Sequence, residues 1–299
     1  MTAIDQDLTS ERVAGELGLA HHGPVRVVHR PASAASAAPG SIVFVSSARP
    51  DLLDLLRSVD DLVVLAEVAP EVLPLATVIS SDRPRLDFAR VLATFFAEEP
   101  PRGVHPTAIV APTVRLGQRV TIGAYAVVED GVEIGDDSII GEHVVLRRRC
   151  VIGERTRIKP NSVIGDPGFG FEYDGDTPIR IPHVGAVRIG SDVEIGALVS
   201  IARGTLDDTV VEDHVKVDDH VFIAHNARIG RGAFVIAGAE VSGSVQIGPT
   251  AWIGPQVTIR DQIQIGANAM VGIGAVVTKD VPADVIAVGN PARVLRARD

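Results

Sequence analysis

Val217-Asp218-Asp219-His220-Val221-Phe222-Ile223-Ala224-His225-Asn226-Ala227-Arg228-Ile229-Gly230 carries an aliphatic residue at every sixth position: Val217, Ile223 and Ile229. The same beat extends from Val211 to Val277 through Val235, Val241, Ile247, Ile253, Ile259, Ile265 and Val271. Glycine follows several of these residues, as in Ile229-Gly230, Ile247-Gly248, Ile253-Gly254 and Ile265-Gly266, and small or β-branched residues stand four places later. A period of six belongs neither to a helix nor to a flat strand. It describes a chain that turns a corner every six residues with the aliphatic side chain inward. Glycine serves where the corner needs positive φ or close packing. Three hexads close one triangular coil, so residues eighteen apart stack on each other.

Upstream the beat is the same: Val104, Val110, Leu116, Ile122, Val128, Ile134, Ile140, Leu146, Ile152, Ile158 and Ile164. It then stops. Residues 165–188 hold Gly168-Phe169-Gly170-Phe171, Tyr173-Asp174-Gly175-Asp176 and Ile181-Pro182-His183. This aperiodic stretch reads as a loop thrown out of the coil, and long loops inside compact domains tend to carry function. The beat returns at Ile189, Ile195 and Ile201, slips by four residues around Leu206-Asp207-Asp208-Thr209, and resumes at Val211. With strands about 4.8 Å apart, eight or nine coils form a prism roughly 40 Å long. From Pro282 the chain is expected to leave the coil as a tail, 282–299.

Residues 1–103 have another texture. Thr9-Ser10 caps a helix over Glu11 to Leu19, and Pro31 to Gly40 is a loop. Strands are expected at Ser41 to Ser46, Leu62 to Ala66 and Thr77 to Ser80, with helices at Asp51 to Val59 and Pro84 to Glu98. Strands alternating with helices make a small α/β domain. Pro100-Pro101-Arg102-Gly103 marks its end. The fold class is thus mainly β: a hexapeptide β-helix over 104–281 behind a small N-terminal α/β domain, 1–103.

The 299 residues carry a formal net charge of −10, which argues against nucleic acid as a general partner. A single cysteine, Cys150, excludes an internal disulfide and reads as packing. No run approaches the roughly 20 apolar residues of a membrane span, and Met1 to Asp7 lacks the order of a signal peptide. The expectation is a cytoplasmic protein without a transmembrane segment. The run Arg147-Arg148-Arg149 reads as a solvated face or a patch for an acidic carrier or phosphate.

Inside the repeat, His225 stands two residues after the inward Ile223, so it points out near a corner. His214 and His220 each stand three after theirs. An outward imidazole can act as a general base at neutral pH, with a carboxylate such as Asp218 or Asp219 holding its other nitrogen. The plain alternative is an exposed, idle histidine.

The α/β domain, the prism, the Gly-Phe-Gly loop with Ile181-Pro182-His183-Val184-Gly185, and Ile201-Ala202-Arg203-Gly204-Thr205-Leu206-Asp207-Asp208-Thr209 together resemble the UDP-3-O-acylglucosamine N-acyltransferase family of lipid A synthesis. Val217 to Asn226 is the most specific match, and the resemblance covers roughly Ser41 to Ile265. It implies a homotrimer of left-handed parallel β-helices with sites between subunits. It also implies acyl transfer from an acyl carrier protein thioester to the amine of a UDP-linked sugar, with no further cofactor. The catalytic histidine falls on His225, its orienting aspartate on Asp218, and the oxyanion-facing backbone N–H on Gly243. Phe44, Asn226, Phe169, Phe171 and His183 are the implied substrate contacts, and no metal is expected.

Three departures stand out. The family's second active-site histidine falls on Gln262. The partner of the uracil-stacking Phe44 falls on Pro50. Val288-Gly289-Asn290-Pro291-Ala292-Arg293-Val294 instead resembles hexapeptide acetyltransferases that use acetyl-CoA, so either acyl-CoA or an acyl carrier protein is the implied donor. An amino-sugar N-acyltransferase fits both ends. Two rivals remain: a non-catalytic trimeric scaffold, and a zinc lyase like the γ-class carbonic anhydrases, with His220, His225 and His183 as ligands.

Overall fold

A computed structural model describes residues 8–46, 49–98 and 101–298. The acidic start Met1 to Asp7 and Pro100 of the expected boundary lie outside the described residues. The chain forms two units, Met1–Glu99 and Pro100–Asp299, so the division falls four residues before the one the composition suggested.

In the first unit, helix α1 (Ser10–Leu17) starts where Thr9 Oγ1 accepts the Arg12 N–H at 3.3 Å and ends at Gly18 in the left-handed region. The five strands are β1 (His21–His22), β2 (Arg30–Pro31), β3 (Ser41–Val45), β4 (Leu62–Ala66) and β5 (Ala76–Ser80). They lie in the order β1-β5-β4-β3-β2, parallel except for β1. Every residue of β4 is buried, which is why it reads as one apolar run rather than an alternation. Helix α2 (Pro50–Leu56) follows β3, and α3 (Pro84–Val91) follows β5 and passes into a π-turn, Leu92–Phe96. The expected helix to Glu98 therefore ends early. The edge strands β1 and β2, two residues each, are too short for a sequence pattern to reveal.

The second unit is a parallel β-helix with three faces, sheets of nine, eight and eleven strands. Most strands are two residues long and pair with the strand eighteen residues away, as Ile223 does with Val241. The beat residues from Ile122 onward fill the axis, and those four places later join them: Val144, Cys150 and Val199 are as buried as Leu146 and Ile195. Each such side chain contributes roughly 1.5–3 kcal/mol relative to exposure. Val104 and Leu116 are exposed because the first coil has no coil beneath it. Polar residues on the axis are satisfied across coils: Ser138 Oγ donates to Gly153 O at 2.8 Å and Ser162 Oγ to Gly196 O at 2.7 Å. Burial pushes the Cys150 thiol up to about 11, so this cysteine is an inert core group.

The corners resolve the role of the glycines. Positive φ falls on residues such as Arg155, Asn161, His214, His220 and Asn226. The glycines that follow the aliphatics serve close approach instead. A Cβ on Gly230 would come within 2.7 Å of Ile247 O and Pro249 N. Left-handed corners of non-glycine residues cost about 1 kcal/mol each. The amide there bonds to the previous coil, as Asn161 N–H does to Glu142 O at 3.0 Å.

The C-terminal stretch is not the expected tail. Val285–Val288 pairs with Met270 and Val271, and Arg293–Ala297 returns antiparallel against it. An uncapped solenoid end would expose a pairing edge, and this hairpin adds to the last coil there.

Candidate active site

Two interruptions of the repeat lie at one corner. Ile152 pairs with Ile189, 37 residues on rather than 18, an insertion of 19. Ile189 pairs with Val211, 22 residues on, an insertion of four. On the nine-stranded face, Val163–Pro167, Ser200–Arg203, Phe222–Ile223, Glu240–Val241 and Thr258–Ile259 are successive neighbours. The corners after them form one column: the loop bearing Gly168 and His183, then Thr205 and Asp207, then His225 and Asn226, then Gly243, then Gln262.

His225 is half-buried at its corner. Asn226 fixes it. The Asn226 amide is oriented by backbone: Oδ1 accepts the Thr205 N–H at 3.1 Å and Nδ2 donates to Asp207 O at 3.1 Å. The same Oδ1 stands 3.1 Å from His225 Nδ1. An amide oxygen only accepts, so His225 Nδ1 carries the proton and Nε2 presents a lone pair. The four-residue slip thus has a function: it delivers the two backbone groups that lock Asn226.

The expected Asp218–His225 pair does not form within the chain. Asp218 stands one corner earlier, and its carboxylate accepts from the Asp219 amide at 2.9 Å and the Ala237 amide at 3.3 Å. Seven residues separate two groups on different corners of the prism, and a side chain does not span an edge of that triangle.

Gly243 lies one coil beyond His225. A Cβ there would meet His225 Cε1 at 2.8 Å and Nε2 at 3.0 Å, so only glycine leaves room. Its equivalents in other coils divide into amides that meet a side-chain acceptor and amides, such as those of Glu142, Asp213 and Asp261, with none among the described hydrogen bonds. The Arg148, Arg231 and Ala237 amides donate to Glu129, Glu212 and Asp218, each nineteen residues earlier. Nineteen before Gly243 stands Ala224, which has no acceptor. Among the described hydrogen bonds the Gly243 N–H has none.

His183, 7% exposed, packs edge to face on His225 with ring centres 5.1 Å apart. Its Nδ1 donates to Ile181 O at 3.0 Å. Its Nε2 is buried without a partner. Gly168 and Gly170 wrap the ring, with Cβ positions 2.9 Å from Nε2 and 3.0 Å from Cε1. Burial lowers the His183 pKa below the usual histidine value, with His225, Arg180 and Arg203 adding to the effect. The folded state therefore resists a proton that the unfolded chain accepts below about pH 6.5. Stability is expected to fall as pH drops below that value, and less so in His183→Gln. Thermal midpoints of both proteins from pH 7.5 to 5 measure the difference.

Phe169 and Phe171 sit beside an exposed hairpin, Phe171–Asp174 with Thr177–Arg180. Their rings pack on each other 4.9 Å apart, and Arg180 lies over Phe171. Arg148 and Arg149 of the arginine run are exposed, as a solvated face would have them, and the run also bonds to the neighbouring loop. Arg147 pairs with Glu129 and Asp166, Arg149 Nη2 donates to Val184 O, and Arg203 donates to Gly165 O and Arg148 O. These bonds clamp the stem of the loop 165–188, which carries the 19-residue insertion. His220 is exposed on the corner before His225, so the set His183, His220 and His225 is not assembled within the chain. Among the described residues no three His, Cys, Asp or Glu side chains come close enough to hold a metal.

In the first unit, half-buried Phe44 packs on Phe88 at 5.1 Å. It lines a cleft of about 660 Å³ with Ser46, Glu67, Asp82, Arg83, Pro84, Arg85, Leu86 and Ala89. Pro50 is exposed at the start of α2. Arg83, at the cap of α3, and Arg85, in its first turn, went unnoticed in the sequence, where isolated arginines carry no signal.

Comparison with known proteins bears on the fold and the reaction class. The family model described as bacterial transferase hexapeptide (six repeats) matches residues 113–148, 131–166 and 244–279. The chain is 37% identical over 184 residues to the UDP-3-O-acylglucosamine N-acyltransferase of Paracidovorax citrulli, covering 60% of this chain and 55% of that one. It is 35% identical over 237 residues to the same enzyme of Alkalilimnicola ehrlichii, covering 71% and 66%. The chain is a relative of the UDP-3-O-acylglucosamine N-acyltransferases. It spans 55% and 66% of the length of these two curated relatives. Among solved structures, LpxA of Acinetobacter baumannii superposes with a TM-score of 0.59 at 28% identity, covering 64% of this chain and 73% of that one. LpxA of Bacteroides fragilis, a UDP-N-acetylglucosamine acyltransferase, gives 0.58 at 26% identity, covering 64% and 73%. No helix among the described residues is long and apolar enough to cross a membrane.

Proposed function

We propose that this LpxD-like chain is an N-acyltransferase that moves an acyl group from a thioester to the amine of a nucleotide-linked amino sugar. The observation that carries the reading is the placement of a free imidazole Nε2 against an uncapped Gly243 N–H. The amine nitrogen attacks the thioester carbonyl carbon, and His225 Nε2 takes the proton the amine loses as the C–N bond forms. The Gly243 amide donates to the developing oxyanion, a contribution of about 3 kcal/mol in comparable sites. As the C–S bond breaks, the imidazolium returns its proton to the departing thiolate. Asn226, rather than Asp218, holds the imidazole in the tautomer this requires.

The cleft on Phe44 suits a flat heterocycle, with Arg83 and Arg85 available to phosphate oxygens. The donor is acyl-CoA or an acyl carrier protein, both of which present a phosphopantetheine thioester. A homotrimer is part of the proposal, as the family resemblance implies. Mass spectrometry of UDP-3-O-acylglucosamine incubated with acyl carrier protein thioesters and acyl-CoAs tests the reading. An N-acylated product supports it, and the absence of product with every donor removes it.

The two candidate holders of the imidazole separate by mutation. Asn226→Ala is expected to lower kcat by about tenfold, the worth of one hydrogen bond near 1.4 kcal/mol. Asp218→Asn is expected to leave kcat within about threefold, because its partners are corner amides. Steady-state kinetics on both variants checks the order, and a larger loss for Asp218→Asn would return the aspartate to the role the resemblance implied.

A further inference from the structure

We infer that Arg203 is a positioning residue for the His225 imidazole, an inference that rests on the acyl-transfer reading above. Two insertions build the site, and this one residue is attached to both. Arg203 ends the strand Ser200–Arg203 and is followed at once by Gly204 and Thr205 of the four-residue insertion. Its half-buried side chain reaches back to the longer insertion. Nε donates to Gly165 O at 2.7 Å and Nη2 to Arg148 O at 2.8 Å.

Leu146, Ile164 and Ile201 are successive neighbours on the nine-stranded face, so Arg148, Gly165 and Arg203 belong to three successive coils. The guanidinium therefore staples three coils at the point where the loop 165–188 leaves the prism. Gly165 takes φ +87°, and a Cβ there would stand 2.5 Å from Cys150 Sγ. The exit is thus pinned by the packed axis on one side and by Arg203 at its carbonyl.

What the staple fixes lies next to the base. Beyond the register shift after Ile164, Pro167 pairs with Arg203 itself. Gly168 follows, and a Cβ there would lie 3.1 Å from His225 Cδ2 and 3.2 Å from His225 Cβ. The far part of the same loop sets His183 edge to face on His225. On the other side of Arg203, the Thr205 N–H and Asp207 O orient the Asn226 amide that meets His225 Nδ1. A displaced Arg203 therefore reaches the imidazole by two routes, one through Gly168 and His183 and one through Asn226. Among the described hydrogen bonds none joins Arg203 to His225, so its effect is indirect.

The chemistry suits arginine. Two carbonyls of different coils face one planar fork, which loses little freedom per bond formed, whereas a lysine ammonium is a single point charge on a flexible stem. Arg203 also adds its charge to the burial that lowers the His183 pKa.

The test uses the full chain. Arg203→Met is expected to lower kcat roughly tenfold to a hundredfold, the range for a reacting group misplaced by about 1 Å, with KM for both substrates changed less than about threefold. Arg203→Lys is expected to fall between Arg203→Met and the parent. The double variant Arg203→Met with Asn226→Ala is expected to lose less than the product of the two single losses, because both act on one imidazole. The imidazole ¹⁵N signals of His183 and His225 are expected to move in Arg203→Lys without any substrate, and this variant carries the test where Arg203→Met fails to fold by circular dichroism. A kcat within about threefold of the parent in a folded Arg203→Met, multiplicative losses in the double variant, a loss expressed in KM alone, or unmoved histidine signals would overturn the inference. Moved signals beside a parent protein that forms no N-acyl product with any thioester would instead remove the transferase reading and leave the staple standing.

Discussion

His225→Ala is expected to lower kcat for acyl transfer by roughly 10²–10⁴, the usual worth of a positioned general base. The size follows from what the site retains. Gly243 still offers its N–H, and the corner column still places both substrates, so the residual rate should exceed the uncatalysed one. Thioester and acceptor affinities should change little, because the proton moves only as the C–N bond forms. Steady-state kinetics by product mass spectrometry, with the fold checked by circular dichroism, makes the measurement. A variant within threefold of the parent would mean that the free Nε2 is idle and that another group takes the proton.

Gly204→Ala is expected to cost more in structure than any other single methyl at the site. A Cβ there would stand 1.6 Å from Asp207 O and 3.0 Å from Asn226 Nδ2. The obstruction is backbone of the same short loop, not the end of a flexible side chain, so the four-residue insertion must rearrange. Overpacking of this kind costs about 1–3 kcal/mol and sometimes more. The insertion supplies both groups that orient Asn226, so kcat should fall with the thermal midpoint. Gly175→Ala offers the control, since a Cβ there meets nothing within 4 Å although its φ of +62° carries some strain. Equal stability and kcat in Gly204→Ala and the parent would sever the insertion from the imidazole.

The prism was legible because its period is a packing rule. An inward aliphatic at every sixth place can be satisfied only by a coil that turns as often, and Ile122 to Val277 carry that rule with two interruptions. The α/β unit was legible from its apolar strands, and its short edge strands were not, because two residues hold no alternation. Cys150 was read correctly from its place in the hexad. The C-terminal hairpin was missed because Val285 to Ala297 departs from the beat while still pairing with the last coil.

At the site, the family resemblance pointed to His225 and Gly243, and the eighteen-residue stacking rule independently placed the two side by side. The resemblance named Asp218 where the structure shows Asn226 at Nδ1. Adjacent residues seldom face each other along an extended chain, but Asn226 sits in the left-handed region at φ 60°, which swings its amide back toward the imidazole. That the Gly243 amide meets no side-chain acceptor, as several equivalent corner amides do not, is read only in the register.

The repeat by itself determined the architecture and the stacking of His225 with Gly243, since both follow from a constant rise of one coil per eighteen residues. Only the folded chain decided which group holds the imidazole and that His183 joins it. Both depend on insertions of four and nineteen residues whose paths obey no period. Their courses are set by the backbone bonds and arginine clamps they meet at one corner.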